Sequence, residues 1–396
     1  MTPDAPLPPP VADAEASQTP SRSGRIAPHF EAFQNPVKIF HHGERLLELA
    51  TTGDARPLHL TLGLTNYCNH KCPWCYINWH QAGRGPARPG EAPAPLRKPI
   101  NADERVIEAV GEARAMGLKA LTIVGDGEPL LHPRIVEILR QLAGFGLDVG
   151  IFTNLGIPRP EILEALVESC FFVRGSLDAA RPETHQRLHG CDDFALVVDN
   201  LRRLVRLRGS KPFPILGVQY VANQWNVADL PFAAAFFRDL GLDYLSIKPA
   251  YRNVLNPDHP ENTLALAEAF PLMEQARAMA TDHFAVYAKF PQFAEVLEHR
   301  TNDGRYYQRC LATPLSPYLD EDGAVEMCGN LKGRGFTLGN VHEASFGEIW
   351  SSPRRRERLA RIDLHQCPAG CRLDPLNKVL WDAFYPERRV IHPNFV

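Results

Sequence analysis

Leu58-His-Leu-Thr-Leu-Gly-Leu64 runs through Thr65-Asn-Tyr67 into Cys68-Asn-His-Lys-Cys72-Pro-Trp-Cys75, and this junction decides how the rest of the chain is read. An apolar run of strand length ends in three cysteines spaced C-x3-C-x2-C. Three thiolates at that spacing can wrap one corner of a cubane cluster, binding three irons and leaving the fourth open to chelate a ligand. The plainer alternative is a structural zinc knuckle that lacks a ligand or takes His70 or His80 as its fourth. Placement directly after a strand, where barrel enzymes keep their chemistry, favours the cluster.

Outward from this junction, strand-like runs over 58–64, 119–124, 148–153, 171–177, 215–222 and 243–249 alternate with helical periodicities over 101–116, 133–143, 160–169, 194–208 and 227–240. Such alternation predicts βαβ units and a parallel sheet. The fold expected is α/β, an open partial (β/α)6 TIM-like barrel with a small cysteine-rich unit behind it. Asn101 and Glu104 make a capping box for the first barrel helix, and Gly117 ends it. A short helix over 38–50 precedes the barrel. After a further helix and strand the chain changes character near Arg309, becoming short, hairpin-like and rich in cysteine. Four segments follow: a tail over 1–24 too poor in large apolar residues to order, a helical lead-in over 25–57, the barrel over 58–300 and the cysteine-rich unit over 301–396.

The chain has 396 residues, is 44% hydrophobic and carries a formal net charge of −3. It has no electrostatic footprint for nucleic acid or an anionic membrane. No apolar run is long enough to span a bilayer, and the N-terminus lacks the pattern of a signal peptide. A soluble, cytoplasmic protein is expected. Nine cysteines in such a setting indicate metal or redox chemistry rather than disulfides.

With Trp74 before the last cysteine of the triad and Tyr76 after it, the motif resembles the signature of the radical S-adenosylmethionine (SAM) superfamily. The resemblance extends by pattern over about 58–249. It implies a [4Fe–4S] cluster on Cys68, Cys72 and Cys75 whose open iron binds the amino and carboxylate groups of SAM. One electron then cleaves the sulfonium, and the 5′-deoxyadenosyl radical abstracts a substrate hydrogen. Gly125-Asp-Gly-Glu-Pro129 resembles the family's Gly-Gly-Glu-Pro loop, with Asp126 ahead of the Gly-Glu-Pro core. Trp74, Gly125, Asp126, Gly127, Glu128, Asn154 and Ser176 are therefore the expected cofactor side of the mouth, and Gln219 on the fifth strand joins them as a polar side chain placed on the lumen face by strand alternation. Ser176 matches a serine that often contacts the cofactor's ribose or carboxylate.

Strand alternation puts Arg174 on the face of Ser176, where a guanidinium could pair with the methionine carboxylate. On the sixth strand Tyr244, Ser246 and Lys248 share a face opposite Leu245 and Ile247, as a lumen holding a polar substrate requires. Lys248 is the best candidate to meet a substrate or cofactor anion. His132 reads as a cap or packing residue. His185 and His189 lie four apart with no third ligand in sight, Cys170 reads as a small buried hydrophobe, and Cys191 has no evident partner.

Cys310, Cys328, Cys367 and Cys371 form a second set, with a tight turn expected at Glu321-Asp322-Gly323. On spacing alone four thiolates close a zinc site as well as a cubane. Cys-x12-Gly-x4-Cys, Gly339-Asn-Val341, Phe346-Gly-Glu-Ile-Trp350 and Cys-x3-Cys resemble the twitch domain, the shortened SPASM form, which implies one auxiliary [4Fe–4S] cluster. The run Arg372-Leu-Asp-Pro-Leu-Asn377 resembles tails of members acting on sugars or nucleosides.

A small-molecule tailoring enzyme is expected, acting on a sugar, nucleoside or aminoglycoside-like substrate and drawing electrons from a flavodoxin or ferredoxin. The auxiliary cluster could accept the substrate electron in a dehydrogenation. Redox-neutral decarboxylation, epimerisation or cyclisation is also open. A peptide substrate is the second reading, weakened because the lead-in is short for a peptide-recognition domain. A non-catalytic zinc protein is the third.

Overall fold

A computed structural model describes residues 35–76, 100–251, 259–298 and 305–385. The N-terminal tail, the first part of the lead-in and His80 lie outside these residues.

Six parallel strands form the barrel wall: β1 (His59–Gly63), β2 (Ala120–Val124), β3 (Asp148–Thr153), β4 (Phe172–Ser176), β5 (Ile215–Ala222) and β6 (Tyr244–Pro249). Each falls within one or two residues of its expected bounds. The lead-in supplies α1 (Gly43–Thr52). Around the wall lie α2 (Glu104–Ala115), α3 (Ile135–Gly144), α4 (Pro160–Ser169), α5 (Pro182–His189), α6 (Phe194–Arg208) and α7 (Leu230–Asp239). A further helix and strand, α8 (Leu266–Arg277) and β7 (Ala285–Ala288), extend the parallel sheet beyond β6, and α9 (Phe290–Leu297) follows.

Strand alternation separates two environments. Leu60, Leu62, Leu121, Ile123, Val149, Ile151, Val173, Val218, Leu245 and Ile247 are fully or almost fully buried in the main core. The intervening side chains face the lumen. The first barrel helix is capped differently from expectation. Asp103, not Asn101, accepts from the Val106 backbone N–H, while Asn101 forms an isolated bridge with Thr65. A carboxylate one residue before the helix satisfies an amide that Asn101 sits too far upstream to reach. Gly117, at φ 103°, terminates the helix as read.

The C-terminal segment is continuous with the sheet. β8 (Tyr318–Leu319) pairs in parallel with β1, and β9 (Ala324–Glu326) and β10 (Thr337–Asn340) continue antiparallel from it. Gly323, at φ 82°, makes the expected turn. Beyond lie α10 (Phe346–Ser351), α11 (Pro353–Ala360) and α12 (Asp374–Phe384). Leu380 and Trp381 of α12 share a second core with Ile39 and Leu49, so the lead-in packs on the C-terminal segment.

Candidate active site

Three loops meet at the C-terminal ends of β1, β2 and β3. The Gly127 and Glu128 amides donate to the Thr65 and Tyr67 carbonyls at 2.9 and 2.8 Å, pinning the Gly-Asp-Gly-Glu-Pro loop to the chain entering Cys68. A Cβ at Gly127 would lie 2.1 Å from the Tyr67 carbonyl oxygen, so only glycine permits this approach. Buried Glu128 accepts from Thr153 Oγ1 and the Asn154 amide, both at 2.6 Å, and from the Leu130 amide. Its carboxylate therefore staples the β2 loop to the end of β3. Asn154 Nδ2 donates to Asn69 Oδ1 at 2.8 Å and lies 3.9 Å from Cys68 Sγ, and Asn69 reaches the Gly156 carbonyl. Leu155, between them, sits at φ 59°, a costly conformation for a side chain and one that concentrates at functional sites.

The three thiols share one pocket. Burial pushes Cys68 up to about 12, with Glu128 and Cys75 opposing its ionisation further. Cys72 is raised well above the ordinary thiol range by burial, then by Cys75 and Cys68. Thiols so placed lose their protons together only when positive charge replaces them, as a cluster's irons do. His70 is engaged outside this set: Nε2 meets Asp193 Oδ2 at 2.9 Å and Nδ1 faces His189.

Asp126 departs from its expected place. Its carboxylate pairs with Lys332 Nζ from the C-terminal hairpin, and Tyr318 Oη lies 3.5 Å from it. Lys332 also bridges to Asp320 at 2.7 Å. Trp74 lies in a small satellite core, edge-on to Trp225 and His259 and packed with Leu188 and Ala250.

Inside the lumen, strand register aligns Ser176, Gln219, Ser246 and Tyr287 in one row. Gln219 Oε1 is buried with no hydrogen-bond partner among the described residues. Lys248 stands two residues further along β6. Its Nζ has no hydrogen bond or ion pair among the described residues, and burial, Arg174 and Arg372 lower its pKa to about 7. Arg174 faces the lumen, but its Nε donates to Tyr244 Oη at 2.8 Å and its guanidinium lies 4.7 Å over Phe152. This aromatic box fixes it in the row of Phe152, Gly217 and Tyr244, four residues short of Lys248, instead of leaving it free to take a methionine carboxylate. Arg372, beside the last cysteine, reaches Thr61 Oγ1 at 3.0 Å on the lumen face of β1 and Ser316 at 3.2 Å.

The second cysteine set also converges. Cys328 is pushed up to about 12 by burial, Cys371 and Cys310, and Cys367 to about 11 by burial, Cys371 and Cys310. Two asparagines that sequence reasoning passed over hold it. Asn377 Nδ2 lies 3.5 Å from Cys310 Sγ while its Oδ1 accepts from the Leu311 and Ala312 amides, and Asn330 Nδ2 lies 3.6 Å from Cys371 Sγ. Amide donors near thiolates favour the charged form.

Two readings are overturned. A third histidine does accompany His185 and His189, because His70 packs against both rings at 5.8 and 5.3 Å. Cys191 does have partners, Asp193 Oδ1 at 3.1 Å and His185 Nε2 at 3.7 Å. The first depends on the cysteine loop folding onto the end of α5, 115 or more residues away along the chain, which spacing does not reveal; the second depends on the local turn after α5, two and six residues from Cys191. His132 caps locally and bonds to the Ala102 carbonyl, and Cys170 is buried, as read.

A parallel barrel with a three-thiol pocket at its mouth and a four-thiol pocket on its appended hairpin defines an iron–sulfur enzyme. Residues 62–221 match the Radical SAM superfamily, and residues 310–372 match SPASM, an iron-sulfur cluster-binding domain. The chain belongs to the radical SAM superfamily and carries a C-terminal SPASM-type domain; its cofactors are SAM, a catalytic [4Fe–4S] cluster and an auxiliary one. It is 25% identical over 319 residues to the tungsten-containing aldehyde ferredoxin oxidoreductase cofactor-modifying protein of Pyrococcus furiosus, covering 75% of this chain and 81% of that one. It is 24% identical over 341 residues to the antilisterial bacteriocin subtilosin biosynthesis protein AlbA of Bacillus subtilis, covering 81% and 68%. The fold is shared with Streptococcus suis SuiB bound to precursor peptide SuiA (TM-score 0.59, 16% identity, 81% of this chain and 71% of that one). It is shared as well with native anSMEcpe with bound AdoMet (TM-score 0.56, 14% identity, 86% and 100%).

Proposed function

We propose that this enzyme abstracts hydrogen from a small polar substrate bearing an anionic group, held in the barrel lumen between the two cysteine pockets, and that the net reaction is a dehydrogenation. The observation that carries this reading is the Lys248–Arg372 pair. Both cations serve the lumen, and neither has a carboxylate partner among the described residues. A half-buried ammonium with no counter-charge is costly, and a bound anion removes that cost.

Cys68, Cys72 and Cys75 hold the catalytic cluster, and Cys310, Cys328, Cys367 and Cys371 the auxiliary one. When bound, the first supplies the electron that splits SAM into methionine and the 5′-deoxyadenosyl radical, and the second an acceptor for the substrate's surplus electron. The protein's own groups do the rest. Glu128, Asn154 and the glycines of the β2 loop keep the cysteine loop in place, while Ser176, Gln219 and Ser246 line the wall facing the cofactor or substrate. Lys248 Nζ holds the substrate anion.

A peptide substrate is the second reading, favoured by the similarity to the bacteriocin biosynthesis protein AlbA. The test is 5′-deoxyadenosine formation by the reconstituted enzyme, with the small-molecule and peptide fractions of a cell extract added separately. Stimulation by the small-molecule fraction, lost in Lys248→Met, supports the first reading. Stimulation by the peptide fraction alone would replace it with the second.

A further inference from the structure

The structure holds a further convergence of metal-ligating groups, one that borders the catalytic cysteine loop and uses none of the seven cysteines assigned to the clusters. We infer that His70, His185, Cys191 and Asp193 form a zinc site that clamps the catalytic cysteine loop to the turn between α5 and α6.

One donor atom from each of the four residues lies within 4.8 Å of all the others. Two imidazoles, one thiol and one carboxylate are a complete tetrahedral set for Zn2+, a borderline cation that takes nitrogen, sulfur and oxygen together. Only one of the four is a cysteine, so the set does not suit a cubane. The spacings are near those of a ligand shell. Cys191 Sγ lies 3.7 Å from His185 Nε2, while His70 Nε2, His185 Nε2 and Cys191 Sγ lie 2.9, 2.8 and 3.1 Å from the Asp193 oxygens. Bonds of about 2.0–2.3 Å around zinc place tetrahedral ligand atoms roughly 3.3–3.7 Å apart. A few tenths of an ångström of expansion admits the ion.

Charge and burial agree. Both histidines are buried, and Cys191 and Asp193 close the site from its half-buried side. Zn2+ displaces the Cys191 thiol proton to solvent, and both imidazoles bind through Nε2 as neutral rings. The product is neutral, two positive charges against one thiolate and one carboxylate, which suits an interior site. Three of the ligands come from the nine residues 185–193, and the fourth from the middle of the catalytic loop. The backbone already docks there, with the Lys71 amide on the His189 carbonyl at 2.9 Å. A metal bond to His70 would fix the loop midway between Cys68 and Cys72.

The test uses the anaerobically purified holoenzyme with both clusters loaded, from cells grown with added zinc sulfate. Metal content is read by mass spectrometry and the zinc environment by zinc K-edge absorption, which does not see iron. The result expected is about one zinc per chain beside the cluster iron, with a first shell of one sulfur and the remainder nitrogen or oxygen. In Cys191→Ser the sulfur should vanish from that shell while iron content is kept. Zinc well below one per chain in the wild type overturns the inference. So does a shell of four sulfurs, which would put the zinc in the C-terminal cysteine pocket, or an unchanged sulfur in Cys191→Ser. The wild-type spectrum decides the matter even if the variant proves insoluble.

Discussion

His189 Nδ1 lies 3.5 Å from Cys72 Sγ, and the backbone decides which way its proton points. The Asp178 amide, which can only donate, meets His189 Nε2 at 3.2 Å. Burial lowers the His189 pKa well below the usual histidine range, with His185 and His70 adding to it. A neutral ring whose Nε2 accepts must carry its proton on Nδ1. That N–H faces a sulfur assigned to the catalytic cluster; His70 Nδ1 lies as close, at 3.4 Å, and accepts the proton only while it carries none itself. Hydrogen bonds to cluster sulfurs raise the reduction potential. His189→Phe should therefore keep its iron but lower the potential of the catalytic cluster by something on the order of 60 mV, a tenfold change in a one-electron equilibrium. An EPR-monitored redox titration reads this directly. An unmoved potential would leave His189 a packing residue.

Lys248 is the second test. Replacement by Met keeps the stem and removes the charge. Uncoupled cleavage of SAM should survive, while turnover of the true substrate falls roughly tenfold or more, about 1.4 kcal/mol. The pH profile gives the sign. With a pKa near 7, lowered by burial and by Arg174 and Arg372, the free enzyme loses its anion-binding form as pH rises through neutrality. The KM for an anionic substrate should climb above pH 7 in the wild type and stay flat in Lys248→Met. A flat wild-type profile removes Lys248 from the binding site.

The barrel was legible because each strand carries its own alternation. The split of Leu245 and Ile247 from Tyr244, Ser246 and Lys248 is visible in six residues, and the fold preserves it. Both cysteine sets were legible because thiolate spacing is a local signal. Lys332, Arg372, Asn330 and Asp193 were not singled out. Each acts across a distance in sequence that only the folded chain closes, such as the 206 residues between Lys332 and Asp126. Arg174 shows the converse failure. Its face was read correctly, but the aromatic box of Phe152, Phe172 and Tyr244 that holds it comes from three strands.

Lys332 joins the β2 loop to the hairpin by bridging Asp126 and Asp320, both nearly inaccessible. Burial pushes Asp320 up to about 8, opposed by Lys332 and reinforced by Asp126 and Glu321, and Glu321 is raised to about 7. Carboxyls whose folded pKa exceeds the unfolded value bind more protons when folded, so their contribution favours low pH and is lost as pH rises from about 4 to about 8. Lys332→Met should cost about 3 kcal/mol at pH 8, because the carboxylates lose their cation. The deficit should shrink toward pH 5, where they can hold protons. Thermal unfolding across that range reads the slope. A loss independent of pH would mean that Lys332 acts through its stem alone.

The auxiliary pocket separates oxidation from redox-neutral chemistry. Replacing Cys367 and Cys371 by Ala removes two of its four thiols, while Cys68, Cys72 and Cys75 sit in a different pocket and should keep their iron. Because β8 pairs with β1, the hairpin belongs to the barrel sheet, and the pairing register of Thr61 and Leu62 does not pass through either replaced cysteine. SAM cleavage should therefore survive in part, at about half the wild-type iron content. If the auxiliary cluster takes the substrate electron, this variant still moves deuterium from labelled substrate into 5′-deoxyadenosine yet yields no oxidised product. Mass spectrometry of both species gives the answer. Normal product from a protein shown by iron analysis and EPR to lack the second cluster would defeat the acceptor role. The four thiols would then serve to anchor Arg372, whose guanidinium reaches Thr61 from the residue next to Cys371, and a redox-neutral outcome would become the reading to test.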